Sequence, residues 1–306
     1  MNILITKHEK GLLALFIILA IVGSLYSIEK KKIADALEKQ RLERIEKELR
    51  VERGIADALS TAEIIAKSFS VYDLDNDKRL YGRNDNVKMP LASLAKTMTV
   101  MVALDQGVVQ LVEITPDFLK AEGEYNLIEG EIWNVKDLAR FALIFSSNDA
   151  AVALSRGDQD FVKKMNDKSQ AIGLTNTEFS NPTGLDTSDT TVGAYGTANE
   201  ANKLAAFAIS NYGEVFESTV WPEVKIKSES GYIHDVLNTN LIIDKIPSIL
   251  FSKTGYTDLA GGNLTIIFKN AYGHRLAITV LGSTMQGRFI DMEKIVSALY
   301  NLDYEI

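Results

Sequence analysis

Residues Gly11 to Ile28 form an unbroken run of 18 uncharged residues, GLLALFIILAIVGSLYSI. At 1.5 Å per residue, a helix of that length spans roughly 27 Å, close to the hydrocarbon thickness of a bilayer. Lys7 and Lys10 precede the run, and Lys30, Lys31 and Lys32 follow it. A buried soluble helix fits poorly with charges on both flanks so near the terminus. A cleaved signal peptide is the closer rival, although the run is long for one and Val22-Gly23-Ser24 is a mediocre cleavage site. Residues 11–28 therefore read as an uncleaved transmembrane anchor, with 1–10 as a cytoplasmic N-terminus. The lysine balance across the run slightly opposes that orientation, which rests instead on the chemistry argued below.

From Glu29 to Arg53, 16 of 25 residues are charged, with Ile33, Leu37, Leu42, Ile45 and Leu49 as the recurrent apolar positions. This predicts a solvated helix with one thin apolar seam, a stalk over residues 29–55. No sustained heptad supports a coiled coil.

The remaining chain, 56–306, is long enough for one domain with a large core. A composition of 46% hydrophobic and 24% charged residues with five prolines excludes disorder as its main state. The absence of cysteine removes disulfides, thiol nucleophiles and thiolate metal sites. His8, His234 and His274 stand at no metal-ligand spacing, which argues against a zinc hydrolase, and no metal or other cofactor is expected. Residues 1–53 hold 11 Lys and Arg against 8 Asp and Glu, so the rest of the chain carries about −11 of the net −8. A globular part that acidic is a poor nucleic-acid binder.

Ala56–Lys67 has a helical pattern. Ser68–Asp73 alternates as a strand, Asp75-Asn76-Asp77 makes a turn and Arg79–Gly82 returns, a hairpin. Pro90 opens a helix running to about Gly107, and residues 109–210 read as a mainly helical subdomain. Strands return at Ile249–Thr254, Leu264–Lys269 and Leu276–Leu281, and a helix closes the chain at Ile290–Tyr300. Strands at both ends of a helical block predict an α+β domain, with the early hairpin joining the late strands in one antiparallel sheet.

Ser93-Leu94-Ala95-Lys96 places a hydroxyl and an ammonium three residues apart, on one face of a helix whose start offers free N–H groups to an oxyanion. Alone the pattern is uninformative, because Ser27 and Lys30 repeat it at the membrane boundary. Its companions give it weight. Ser146-Ser147-Asn148 lies between two helical patterns, and Lys253-Thr254-Gly255 ends a predicted strand; neither S-x-N nor K-T-G recurs in this chain. Each piece has an ordinary structural reading as a cap, a turn or an exposed charge. Their occurrence in this order matches the three-motif set of penicillin-recognising serine enzymes.

From about Ala62 to the C-terminus the chain resembles the serine-type D-alanyl-D-alanine carboxypeptidases, the low-molecular-mass penicillin-binding proteins. The matching stretches are PLASLAKTMT at 90–99, SSNDAA at 146–151, FVKKMN at 161–166, GLTNTEFSNPTGLD at 173–186, NTNL at 238–241 and SKTGYTDLAGGNL at 252–264. Departures are Leu91, where the family often has proline, and Asn263, where a cysteine or small residue is common. Many members also carry a C-terminal β-domain and amphipathic anchor, whereas this chain stops at Ile306 and has its apolar run at the N-terminus.

The resemblance implies a β-lactamase/DD-peptidase-like fold, an antiparallel sheet flanked by helices with a helical subdomain. It implies acyl transfer with peptidoglycan stem peptides as substrates and β-lactams as inhibitors. Ser93 would attack the penultimate D-Ala carbonyl and Lys96 would take its proton, lowered in pKa by burial or by the neighbouring Lys253 cation. Ser146 would relay a proton to the leaving amine, and Asn148 would position the substrate amide. Lys253 would bind the terminal carboxylate, Thr254 and Gly255 would line the same strand, and the N–H groups of Ser93 and Tyr256 would form the oxyanion hole. The expected activity is that of a D-Ala-D-Ala carboxypeptidase; the alternative is a DD-endopeptidase, an activity found among members lacking the β-domain. A class A β-lactamase is disfavoured because no E-x-x-L-N motif lies between Asn148 and Lys253, and Glu200 is followed by Ala-Asn-Lys. A Ser-His-Asp triad lacks a G-x-S-x-G partner for His234 or His274. An inactive membrane scaffold would have no reason to keep Ser93, Lys96, Ser146, Asn148 and Lys253 together.

Overall fold

The computed structural model describes residues 7–107, 111–123 and 126–302. The first six residues of the expected cytoplasmic segment, the start of the 109–210 block and the C-terminal Ile306 lie outside these. The chain divides into two compact units, the first ending at Arg53 and the second beginning at Gly54.

The first unit is helical. It belongs to α1, Lys7–Ser60, and the apolar run lies within it with every residue from Gly11 to Ile28 exposed. One helix is thus long and apolar enough to cross a membrane by length and composition. Beyond the run, ion pairs one helical turn apart, such as Lys39–Glu43 at 3.7 Å and Arg44–Glu48 at 3.1 Å, support a helix with no buried face.

In the second unit, Ile55 and Leu59 at the end of α1 are buried. The helix expected over Ala56–Lys67 stops at Ser60, and residues 61–67 form a turn and irregular chain instead. Tertiary hydrogen bonds override the local pattern here. The Asp291 carboxylate accepts from the N–H groups of Ile65 and Ala66 at 2.9 and 2.8 Å, and Arg83 donates to the Ile64 carbonyl at 2.8 Å.

The chain continues through β1 (Ser68–Asp73), β2 (Lys78–Arg83), β3 (Met89–Pro90) and α2 (Lys96–Asp105). Next come β4 (Leu111–Glu113), β5 (Ile132–Asn134), α3 (Val135–Ile144), α4 (Asn148–Ser155) and α5 (Phe161–Ala171). Then follow β6 (Glu178–Phe179), β7 (Ala194–Gly196), α6 (Ala198–Phe216), β8 (Glu223–Lys227) and β9 (Ile233–Leu237). The closing elements are β10 (Ile249–Thr257), β11 (Gly261–Lys269), β12 (Arg275–Ser283) and α7 (Gly287–Tyr300).

The expected sheet is present, five antiparallel strands in the order β10-β11-β12-β1-β2. The early hairpin joins the late strands through the register Ser70↔Thr279 and Val71↔Ile278. All of β1 and residues Leu276–Ser283 of β12 are buried, as strands covered on both faces must be. The covers are α6, packed on β1 and β12, and α7, packed on β11 and β12. Around α2, the helices α3, α4 and α5 complete one core that includes Trp133, Phe141, Phe161 and Met98.

Three expectations need correction. Pro90 does not open an α-helix: it pairs in β3 with Tyr195, and a 3₁₀ turn at Ala92–Ala95 precedes α2. Within the described part of 109–210, the block holds short strands β4 to β7 as well as helices. Strand β10 also runs three residues past Thr254. The β8–β9 hairpin carried no strong sequence signal, because only Ile226 and Val236 of its ten residues are buried.

Candidate active site

Three elements meet around Ser93. The 3₁₀ turn lifts Ser93 to partial exposure while Leu94, Ala95 and Lys96 behind it are buried. It begins with Ala92 in the left-handed region at φ 49°, a conformation costly for a residue with a Cβ. Ser146, between α3 and α4, is held similarly at φ 63°. Backbone strain of this kind persists only where surrounding contacts impose it; of the left-handed non-glycine residues, Ala92 adjoins Ser93 and Ser146 is itself a candidate, while Asp77, Asn84, Arg156 and Ser248 lie outside the motifs. The third element, β10, passes behind the turn. A Cβ on Gly255 would sit 2.9 Å from the Leu91 carbonyl oxygen and 3.2 Å from the Ser93 nitrogen, so only glycine permits this approach.

Lys96 is completely buried, and its Nζ donates to Ser93 Oγ at 2.6 Å, Asn148 Oδ1 at 2.7 Å and the Thr183 carbonyl at 3.1 Å. Lys253 is 1% exposed, and its Nζ donates to Ser146 Oγ at 2.8 Å and to the Thr254 carbonyl at 3.0 Å. The Ser146–Asn148 turn is therefore gripped at one end by each lysine, which joins all three motifs in one network.

Burial pushes the Lys96 ammonium down to about 7, where an amine is available as a base near neutral pH. Desolvation is its first cause, and the repulsion between the two amines, which Lys253 also feels, acts on the pair as a whole. Lys253 is itself lowered well below the ordinary lysine value, first by burial and then by repulsion from Lys96 and Arg288. Two buried amines so arranged hold one proton more readily than two. An arriving carboxylate would favour the proton on the lysine nearest to it.

Arg288 on α7 donates from Nη1 to the Gly255 carbonyl at 2.7 Å. The C=O and N–H of a trans peptide point in opposite directions, so this grip turns the Tyr256 N–H away from Arg288. The Ser93 nitrogen and this N–H are the two donors that the family resemblance assigns to an oxyanion hole. Among the described residues, no group of three or more His, Asp and Glu side chains is arranged to hold a metal ion.

The histidine alternatives do not reach this site. His234 Nε2 bonds Glu131 Oε1 at 2.7 Å and packs against Trp133 and Phe141. Glu200 is equally committed elsewhere, its carboxylate accepting from Thr177 Oγ1 at 2.6 Å and from the Asn176 N–H at 3.0 Å.

A family model described as D-alanyl-D-alanine carboxypeptidase, peptidase family S11, matches residues 55–285. This chain belongs to that family. D-alanyl-D-alanine carboxypeptidase DacF of Bacillus subtilis is 31% identical over 258 residues, 80% of this chain and 65% of that protein. A D-alanyl-D-alanine endopeptidase of Pseudomonas aeruginosa is 32% identical over 210 residues, 65% of this chain and 66% of that protein. The chain thus spans just under two thirds of the length of these relatives. Penicillin-binding protein D2 of Listeria monocytogenes, in its ampicillin-bound form, superposes with a TM-score of 0.68 at 29% identity, covering 78% of this chain and 98% of that one.

Against this family background, several residues around the motifs escaped sequence reasoning. Arg288 is one, since an arginine in a helix carries no signal of a carbonyl partner 33 residues away. Asn263, noted only as a departure, is buried and spans two elements: its Nδ2 donates to the Pro90 carbonyl and its Oδ1 accepts from the Gly282 N–H, each at 2.9 Å. A Glu122–Gly123 turn closes over Asn148, whose Nδ2 donates to the Glu122 carbonyl. Gly123 has φ 121°, and a Cβ there would lie 2.7 Å from Asn148 Nδ2. A side chain there would displace the Asn148 amide and hold a backbone angle that residues with a Cβ rarely adopt.

Proposed function

We propose that this protein is a membrane-anchored serine D-Ala-D-Ala carboxypeptidase that removes the terminal D-Ala of peptidoglycan stem peptides through a Ser93 acyl-enzyme. The observation that carries this reading is the 2.6 Å contact between Ser93 Oγ and a buried lysine whose pKa lies near 7. Neutral Lys96 accepts the Ser93 proton as Oγ attacks the penultimate D-Ala carbonyl. The N–H groups of Ser93 and Tyr256 hold the resulting oxyanion. Ser146 relays a proton to the departing D-Ala nitrogen, its own hydroxyl proton being replaced from Lys253, 2.8 Å away. Lys253 and Thr254 bind the terminal carboxylate, Gly255 allows the strand to approach the nucleophile, and Asn148 orients the substrate amide. Water then attacks the acyl carbonyl and frees Ser93. β-Lactams enter the same route and stall as the acyl-enzyme.

Residues 11–28 serve as a single-pass anchor and 29–55 as a stalk, with 56–306 as the catalytic domain on the extracytoplasmic side, where stem peptides are found. Support comes from the apolar helix and from a family acting on D-Ala-D-Ala termini. DD-endopeptidase action on cross-links is the second reading, favoured by the name of the Pseudomonas aeruginosa relative.

The test is labelling of the full chain in membranes with a fluorescent penicillin, followed by peptide mapping. An adduct on Ser93 is expected; an adduct elsewhere, or none, overturns the reading. Mass spectrometry of digested muropeptides separates the two activities, since a carboxypeptidase releases free D-Ala and an endopeptidase converts cross-linked dimers to monomers. Protease digestion of intact spheroplasts tests topology: the C-terminal part should be cut, and full protection would reverse the assigned orientation.

A further inference from the structure

Thr239 Oγ1 lies 2.6 Å from Thr254 Oγ1. Thr254 is the middle residue of the K-T-G strand and is 3% exposed, whereas Thr239 belongs to the Asn238–Leu241 turn, to which no role has been given. That turn is pinned on both sides of Thr239. Asn238 Nδ2 donates to the carbonyls of Thr219 and Trp221 at 2.8 and 3.0 Å, and its Oδ1 accepts from the Asn240 N–H at 2.9 Å. Asn240 Nδ2 in turn donates to Ser252 Oγ at 2.9 Å, two residues before Thr254 on the same strand. The Thr239 N–H also donates to the Ile144 carbonyl at 3.2 Å, two residues before Ser146. Thr239 therefore bridges the strand that carries Lys253 and the loop that carries Ser146, with its hydroxyl held against Thr254.

A threonine hydroxyl has one proton to donate and two lone pairs to accept with. When Thr254 gives its proton to a carboxylate, its oxygen becomes an acceptor only, and the hydroxyl of Thr239 is in contact to supply the donor. A hydroxyl that accepts a hydrogen bond is a stronger donor in its own next bond. We propose that Thr239 is a positioning residue for the carboxylate subsite, its hydroxyl orienting the Thr254 O–H toward the terminal carboxylate of the acyl donor. The chain Thr239 O–H to Thr254 O–H to carboxylate makes preference for a free C-terminus a property of a residue outside the three motifs. This rests on the reading of Ser93 as the acylated nucleophile and of the K-T-G strand as the carboxylate site.

The test uses full-length protein in detergent and two matched thioesters with one acyl group. One leaves as thioglycolate, carrying a carboxylate, and the other as its methyl ester, carrying none. Thr239→Val removes the hydroxyl at nearly constant shape, and Thr239→Ser retains it. Loss of one neutral hydrogen bond predicts that Thr239→Val raises KM for the thioglycolate by about three- to tenfold with kcat little changed. The methyl ester should be turned over as by the native protein, and Thr239→Ser should restore the thioglycolate KM. Equal losses on both thioesters, no loss on either, or a serine variant as impaired as the valine variant would each overturn the assignment. If the native protein forms no adduct on Ser93 with either thioester, the functional reading itself has failed, which is a distinct result from an active enzyme indifferent to Thr239.

Discussion

The chain contains two Ser-x-x-Lys tetrapeptides, and they have opposite fates. In α1, Ser27 Oγ turns back to the Gly23 carbonyl at 2.9 Å, and both Ser27 and Lys30 are exposed. This is the usual behaviour of a helical serine, which satisfies its hydroxyl on the preceding turn. Around Ser93, the same spacing places a fully buried amine against the hydroxyl at 2.6 Å. Spacing is shared, so spacing is not what sets a serine hydroxyl against a desolvated amine. The difference is desolvation, together with Asn148 and the Thr183 carbonyl, which hold the Lys96 amine in place. Neither partner is close to it in sequence.

Substituting the two lysines is the bluntest way to break the comparison. Lys96→Ala should lower the acylation rate by about two to four orders of magnitude, the usual worth of a positioned base, while Lys30→Ala leaves it as in the native protein. Stopped-flow acylation by a chromogenic β-lactam measures both. Near-native acylation by the Lys96 variant would show that the proton goes elsewhere.

The second buried lysine sharpens the contrast, because Lys253 is assigned to the substrate and not to the nucleophile. Lys253→Ala should weaken reaction with carboxylate-bearing donors by roughly ten- to hundredfold through loss of a charge-assisted contact. A thioester without that carboxylate should retain measurable acylation. Equal damage to both donors would place Lys253 in the proton path as well.

Desolvation also has a pH signature. With the Lys96 amine near 7, its neutral, proton-accepting form dominates above that pH and disappears below it. Acylation should therefore fall about tenfold from pH 8 to pH 6 and level off above pH 8. A pH-rate profile of adduct formation reads this directly. A rate flat across that range would mean that the base is not a lysine lowered by burial.

The smallest expected effect concerns the Glu122–Gly123 turn. Gly123→Ala puts a methyl group where Asn148 Nδ2 now sits 2.7 Å away, so the Asn148 amide must shift. Acylation should drop about three- to tenfold through KM, the scale of one disturbed hydrogen bond, with an unchanged circular dichroism spectrum. An unaltered KM would remove the turn from the list of parts that set the Asn148 position.

Much of this site is legible in the sequence. Ser93, Lys96, Ser146, Asn148 and Lys253 stand in motifs whose order is informative, and the five-stranded sheet follows from strands at both ends of a helical block. The misreadings have a common physical origin. Residues 61–67 look helical by composition, but their backbone groups are taken up by Asp291 and Arg83. Pro90 looks like a helix start but is held in an edge pairing with Tyr195. Arg288, Asn263 and Thr239 look like ordinary polar residues, yet Arg288 and Thr239 bond to the K-T-G strand and Asn263 ties Pro90 to Gly282.

By itself, the sequence determined what depends on local order and on residue type: an apolar span of helical length, a charged helix after it, and serine, lysine and K-T-G strand in a telling succession. Tertiary structure alone decided which of two identical spacings sets a buried amine against a serine hydroxyl. The pKa of Lys96, the strained turns at Ala92 and Ser146, and the contact of Thr239 with Thr254 all arise from burial and from partners brought together by the sheet and the helical core. Desolvation and contact depend on what surrounds a group in space, and a linear pattern of residues does not encode its surroundings.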